Sequence, residues 1–159
     1  MITIIAYGSP APQGSKKFVG MINGRGMLAE SSKHVKPWRE DVAAAARAAM
    51  DYGRRPKLDG PLRVRMVFTL PKPTSAPKRK RTYPMRTPDL SKLARSTEDA
   101  LTTAGVWADD ARVVQYDRLA KVYPGEDPEA LELTGVRIEI SAMESAAAQP
   151  GELFPVQAA

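Results

Sequence analysis

The sequence predicts an α/β domain of the α+β kind, and three observations carry that prediction. Leu62, Val64, Met66, Phe68 and Leu70 alternate with Arg63, Arg65 and Thr69, the period of two expected of a half-buried strand. Trp38, Val42, Ala45, Ala46 and Ala49 recur at helical spacing, as do Leu90, Leu93, Ala94, Thr97, Leu101 and Ala104. The chain has 159 residues, enough to bury one working core without staples.

Residues 2 to 7 open the chain as a strand that ends at the breaker Gly8-Ser9-Pro10-Ala11-Pro12. A loop holding Gly14-Ser15-Lys16-Lys17 leads into a hairpin whose turn is Asn23-Gly24-Arg25-Gly26, because Asn-Gly supplies the positive φ angles of tight turns. The first helix is expected to begin at Pro37, where a missing N–H costs nothing, and to end near Gly53. The alternating strand over 62–70 stops at Pro71. The second helix starts at Thr87-Pro88-Asp89, which offers a cap, a first-turn proline and an acid suited to the positive helix end, and closes at Gly105. Two more strands are expected at about 112–123 and 131–141, joined through an exposed turn at Pro124-Gly125-Glu126-Asp127-Pro128. Residues 1–141 make the domain, and residues 142–159, rich in alanine, glutamine and proline, read as a mostly disordered tail.

The formal charge is +6, and its position matters more than its size. Residues 72–86 hold Lys72, Lys78, Arg79, Lys80, Arg81 and Arg86 with no acid, so this segment equals the whole net charge. Five prolines over 71–88 keep the connection from packing as a core, and it is expected to be mobile until something anionic orders it. A charge run of one sign points to nucleic acid; six phosphate contacts would make log affinity fall against log salt with a slope of about −5. Lys16 and Lys17 extend that surface, Lys92 is placed to contact a phosphate, and His34 and Tyr83 are placed to contact or stack on a base. Trp107 reads as a packing anchor.

The absence of cysteine excludes disulfides and thiolate metal sites, and the single histidine, His34, excludes a multi-histidine zinc centre within one chain. A metal here would be oxygen-ligated, which favours Mg2+, with Mn2+ as a substitute. Asp89 at one end of the second helix and Asp109-Asp110 beyond the other are the candidate ligands. A helix over 88–104 is roughly 25 Å long, so its ends share a metal only if residues 105–111 turn back and the strand from Arg112 runs antiparallel beside it. Each acid also has a structural role open to it: Asp89 on the helix dipole, Asp109-Asp110 as a loop pair, and Asp99 in an i,i+4 pair with Arg95. No apolar run approaches the length needed to span a bilayer and the start, Met1-Ile2-Thr3-Ile4-Ile5, lacks a basic leader, so a soluble, cytoplasmic protein is expected.

Over residues 86–116 the pattern Asp89-Leu90-Ser91-Lys92-Leu93, Asp99-Ala100-Leu101, Ala104-Gly105, Trp107, Asp109-Asp110, Val113-Val114 and Tyr116 resembles the RusA family of Holliday junction resolvases, small endodeoxyribonucleases of bacteria and their phages. Residues 4–50 are compatible with it. The resemblance implies a homodimer with a small mixed β-sheet and two main helices. It further implies binding of four-way or branched DNA and paired, Mg2+-dependent nicks in recombination or repair. By the same resemblance Asp89, Asp110 and the basic residue Arg95 are catalytic, and Asp89, Asp109, Asp110 and Ser91 gather the metal. Ser91 stands where the family has a second aspartate, and its hydroxyl brings no charge, so metal affinity should fall unless Asp109 or Asp99 compensates. A branched-DNA-binding protein with weakened or lost cleavage is the alternative, and a basic nucleic-acid module, RNA included, with purely structural acids is a third. Gln149 with Leu153-Phe154 loosely resembles peptides that dock on a bacterial sliding clamp.

Overall fold

The computed structural model describes residues 1–14, 16–22, 25–30 and 33–143. Its elements are β1 (Ile2–Tyr7), β2 (Lys16–Ile22), β3 (Arg25–Glu30), α1 (Val35–Tyr52), β4 (Leu62–Thr69), α2 (Leu90–Ala104), β5 (Val113–Val122) and β6 (Gly135–Ala142). The α+β expectation holds: four strands form one mixed sheet in the order β1-β6-β4-β5, and β2 and β3 form a separate antiparallel pair. β6 runs antiparallel to both β1 and β4, and β5 runs parallel to β4.

Alternation in sequence becomes two-sidedness in space. Ile2, Ile4 and Ala6 of β1, Leu62, Val64, Met66 and Phe68 of β4, and Val136, Ile138 and Ile140 of β6 are buried together. Against them lie Trp38, Val42, Ala43 and Ala46 of α1 and Leu93, Ala94, Ala100 and Leu101 of α2. The Trp38 ring stands 6.5 Å from that of Phe68, and its Nε1 donates to Thr97 Oγ1 at 3.3 Å. Buried polar groups are satisfied in the same way, since Ser96 Oγ donates to the Ala11 carbonyl at 2.6 Å and Thr69 Oγ1 accepts from the Leu131 N–H at 2.9 Å.

Several expectations at element ends are corrected. α1 begins at Val35, two residues before Pro37, and Gly53 caps it in a right-handed conformation, the left-handed residue being Arg54. Asp89, not Thr87, is the N-terminal cap of α2, with an extended backbone. Gly105 closes α2 as expected, at φ 76, where a glycine carries no Cβ penalty. Lys16 and Lys17 belong to strand β2 rather than to a loop. The expected Asn23-Gly24 turn and all but the first two residues of the expected tail lie outside the described residues, and β6 extends one position into the tail, to Ala142.

The turn after β5 is not a free surface loop. The Asp127 side chain, only 3% exposed, is held by Arg118 at 2.6 Å and reached by Arg81 at 3.1 Å. Glu126 pairs with Lys72 and accepts from the Thr82 N–H at 3.0 Å. Part of the basic connection therefore finds its anionic partner inside the chain, a pairing that separate inspection of two loops 44 to 54 residues apart does not show. Among the described residues, no helix is long and apolar enough to cross a membrane.

Candidate active site

Helix α2 and strand β5 carry the chemistry-bearing side chains. β5 runs antiparallel beside α2, as the return of the chain requires: Tyr116 near its start bonds to Glu98, and Lys121 near its end donates to the Arg86 and Pro88 carbonyls, both at 2.9 Å. Asp89, Ser91, Lys92 and Arg95 are all exposed along the first half of α2. Lys92 Nζ lies 3.4 Å from Asp89 Oδ2, one helical turn back. Ser91, Arg95 and Glu98 are spaced four and three residues apart, so they share one face.

Glu98 is the residue that inspection of the sequence missed. It is half-buried, and its carboxyl is pushed above the ordinary glutamate value first by burial, then by the charges of Asp110 and Asp99, against the hydrogen bond from Tyr116 and the charge of Arg95. The Tyr116 phenol is held well above its usual range by burial and by Glu98. The missed signal was the spacing: Glu98 lies seven residues, two helical turns, after Ser91.

The other acids separate. Asp109 turns inward on its own loop and accepts the Ala111 N–H at 2.8 Å. Asp110 begins a short 3-10 turn over Asp110–Arg112 and is exposed, within the electrostatic reach of Glu98 and Tyr116. Asp99 pairs with Arg39 of α1 rather than with Arg95, and Arg39 also donates to Gln13. Arg95 makes no ion pair among the described residues and points from α2 to solvent. Asp89 stands nine residues before Glu98, roughly 14 Å along the helix axis.

Among the described residues no three His, Asp or Glu side chains are grouped closely enough to enclose a cation, so Asp89, Asp109 and Asp110 do not form one coordination sphere within the chain. Two of them have other partners: Asp89 pairs with Lys92 and Asp109 accepts from the Ala111 amide, while Asp110 is exposed. The donor chemistry nevertheless suits Mg2+, which commonly takes one or two carboxylates and completes its shell with water and substrate phosphate.

The connection before α2 carries the positive charge. Lys78, Arg79, Lys80 and Arg86 are exposed and paired with no acid among the described residues. Arg81 divides its charge between Asp127 and the face of Tyr83, whose centroid lies 5.1 Å away. Trp107 is buried, its Nε1 donating to Thr102 Oγ1 at 2.7 Å, so it is a packing anchor as expected. His34 is exposed just before α1.

Residues 8–140 match the family model described as endodeoxyribonuclease RusA. The chain belongs to the RusA endodeoxyribonuclease family. Membership makes it a nuclease of the hydrolase class, of a kind that acts on branched DNA, and agrees with the mixed sheet and two helices. No curated protein matches the chain significantly.

Proposed function

We propose that this RusA-family nuclease is a divalent-metal-dependent endonuclease that nicks four-way DNA junctions as a homodimer in the cytoplasm. What supports this reading is the family match over residues 8–140 together with the exposed oxygen donors Asp89, Ser91 and Asp110 and the exposed cation Arg95, which makes no ion pair among the described residues. Asp110 and Asp89, which share no coordination sphere in the free chain, would each offer a carboxylate to Mg2+ or Mn2+, with Asp109 and Ser91 as further donors and water and substrate phosphate completing the shell. Bound there, the metal supplies Lewis acidity and positive charge at the scissile phosphate. Arg95 faces solvent from the same helix and contacts a phosphate oxygen, adding charge that stabilises the transition state. Lys16, Lys17, Lys92, Arg86 and the Lys78–Arg81 run bind the DNA backbone and fix its register. Two copies related by a twofold axis would supply the two sites that symmetric cutting of two strands requires. Purified protein with Mg2+ and a synthetic four-way junction should give paired nicks, and Asp110→Asn should abolish them while retaining binding. Intact junction under strong binding would refute the nuclease reading for this chain.

The exposed Ser91 favours a second reading, a branched-DNA-binding protein with weak or lost cleavage. Ser91→Asp separates the two: a large gain in nicking supports the weakened site, and an unchanged rate supports a serine already accommodated. The proposed clamp contact through Leu153 and Phe154 lies outside the described residues; deleting residues 142–159 should abolish clamp pull-down if it exists.

A further inference from the structure

Because β1, β4 and β5 point the same way, their C-terminal ends come together at one end of the sheet, where the N-terminus of α2 meets them. Between them opens a cleft of about 410 Å³, within the size range of small-molecule sites. Its walls are mainly pyrrolidine rings (Pro10, Pro73, Pro84, Pro88) with the Tyr123 side chain, and Arg86 stands at its rim. A second hollow of about 440 Å³ continues past the shared residues Ser9, Pro10, Thr87 and Pro88 toward His34. Lys121 braces the rim through its bonds to the Arg86 and Pro88 carbonyls.

We propose that this cleft receives one unpaired nucleobase of the DNA substrate, while Arg86 engages the adjoining phosphate. The inference rests on the branched-DNA reading above. A nucleobase has two apolar faces and a polar edge, which suits a cleft of ring-shaped apolar walls with hydroxyls at Ser9 and Thr87. The sign of the surroundings fits as well: Arg86, exposed and paired with no acid among the described residues, is the cation lining an otherwise mainly apolar hollow. Pro88 is bonded directly to Asp89, so a base lodged in the cleft brings its own sugar-phosphate to the end of α2 that holds Asp89 and Ser91. Withdrawing a base from the stack costs least where pairing is already interrupted, which is the condition at a branch point. The cleft thereby ties the position of the nick to the position of the branch.

The test compares a normal junction with junctions carrying an abasic residue at each nucleotide flanking the crossover, with binding measured in the absence of divalent cation. In the wild-type protein one abasic position should weaken binding by about tenfold, the loss of one stacked base. Ser9→Trp, at an exposed position lining both hollows, fills the cleft and should erase that difference, leaving the salt dependence set by the basic loop unchanged. Pro73→Trp, at another lining residue on a different segment of the chain, should do the same and guards against a local defect in one variant. An abasic series without any weak position, or a difference that persists in both filled variants, overturns the proposal. Binding without nicking refutes only the nuclease reading. If junctions bind no better than duplex, the branched-DNA reading fails alone, and the same tenfold gap is then required on a single-stranded oligonucleotide.

Discussion

Replacing Gly135 by alanine should be among the most damaging single-methyl additions in this protein. A Cβ at this position would stand 2.2 Å from the Ala6 carbonyl oxygen and 3.0 Å from Tyr7 Cα. Both are backbone atoms of the paired strand, so no side chain can rotate away. Ordinary van der Waals contact would require β1 to retreat by about 1 Å from β6. β1 is an edge strand and is free to do so on its outer side, which bounds the cost. The retreat opens the ladder where Ala6 faces Val136 and Tyr7 faces Gly135, and it strains the Gly8 N–H to Thr134 carbonyl bond of 3.1 Å. Two or three hydrogen bonds at about 1 kcal/mol each, with some loss of packing at Ala6, give about 3 kcal/mol. For a urea slope of about 2 kcal/mol/M the unfolding midpoint should fall by about 1.5 M with the slope unchanged. Gly125→Ala is the control: its φ of 72 is costly for alanine but nothing lies within 4 Å, so only the conformational penalty of about 1 kcal/mol is expected. If Gly135→Ala shifts the midpoint no more than Gly125→Ala, the steric argument is wrong.

Glu126→Gln should loosen the basic connection. It removes the charge that Lys72 and Thr82 share, and trypsin cutting within Lys78–Arg81 together with hydrogen exchange at the Thr82 amide should quicken. In the native protein the Glu126 carboxyl is held below its ordinary value by Lys72 and Thr82, so the tether is present at neutral pH and is lost as pH falls through that lowered value. Glu98 has the opposite sign. Its raised value means that, above the ordinary 4.5, the native chain keeps a proton the unfolded chain has released, so stability falls as pH rises through that window. Glu98→Gln should flatten this part of the stability curve measured by urea melts, whereas Tyr116→Phe, by removing a hydrogen bond that favours the carboxylate, should move the Glu98 titration still higher by NMR. Triple replacement of Lys78, Arg79 and Lys80 by alanine should reduce the slope of log affinity against log salt by about 2.7 if all three contact phosphates. An unchanged slope would show that the DNA passes elsewhere.

Periodicity carries the main elements because it reports burial, and burial is what Leu62, Val64, Met66 and Phe68, or Leu93 and Leu101, experience. Helix ends were less legible. Thr87, Pro88 and Asp89 are each a good terminal residue, and local preference alone does not decide which takes the cap. The site divides along the same line. Asp89, Ser91, Arg95, Asp109 and Asp110 stand out by residue type and by resemblance, yet where the Asp89 and Asp109 carboxylates turn is decided by Lys92 and by the Ala111 amide. The roles of Glu98, Tyr116 and the Glu126-Asp127 turn were not legible, because each acts through a partner on another element.

The pairing of Ile2 with Ile140 and of Ala6 with Val136 has a consequence for synthesis of the chain. Among the described strands β1 hydrogen-bonds only to β6, so its docking closes a loop that contains every other element and waits for β6 to arrive. Until then Ile2 and Ile4 lack their ladder partners and have α1 alone against them, a window in which an apolar segment is open to chaperone capture or to aggregation. Slower elongation should therefore bring little gain in solubility, since what β1 lacks is β6 and not time.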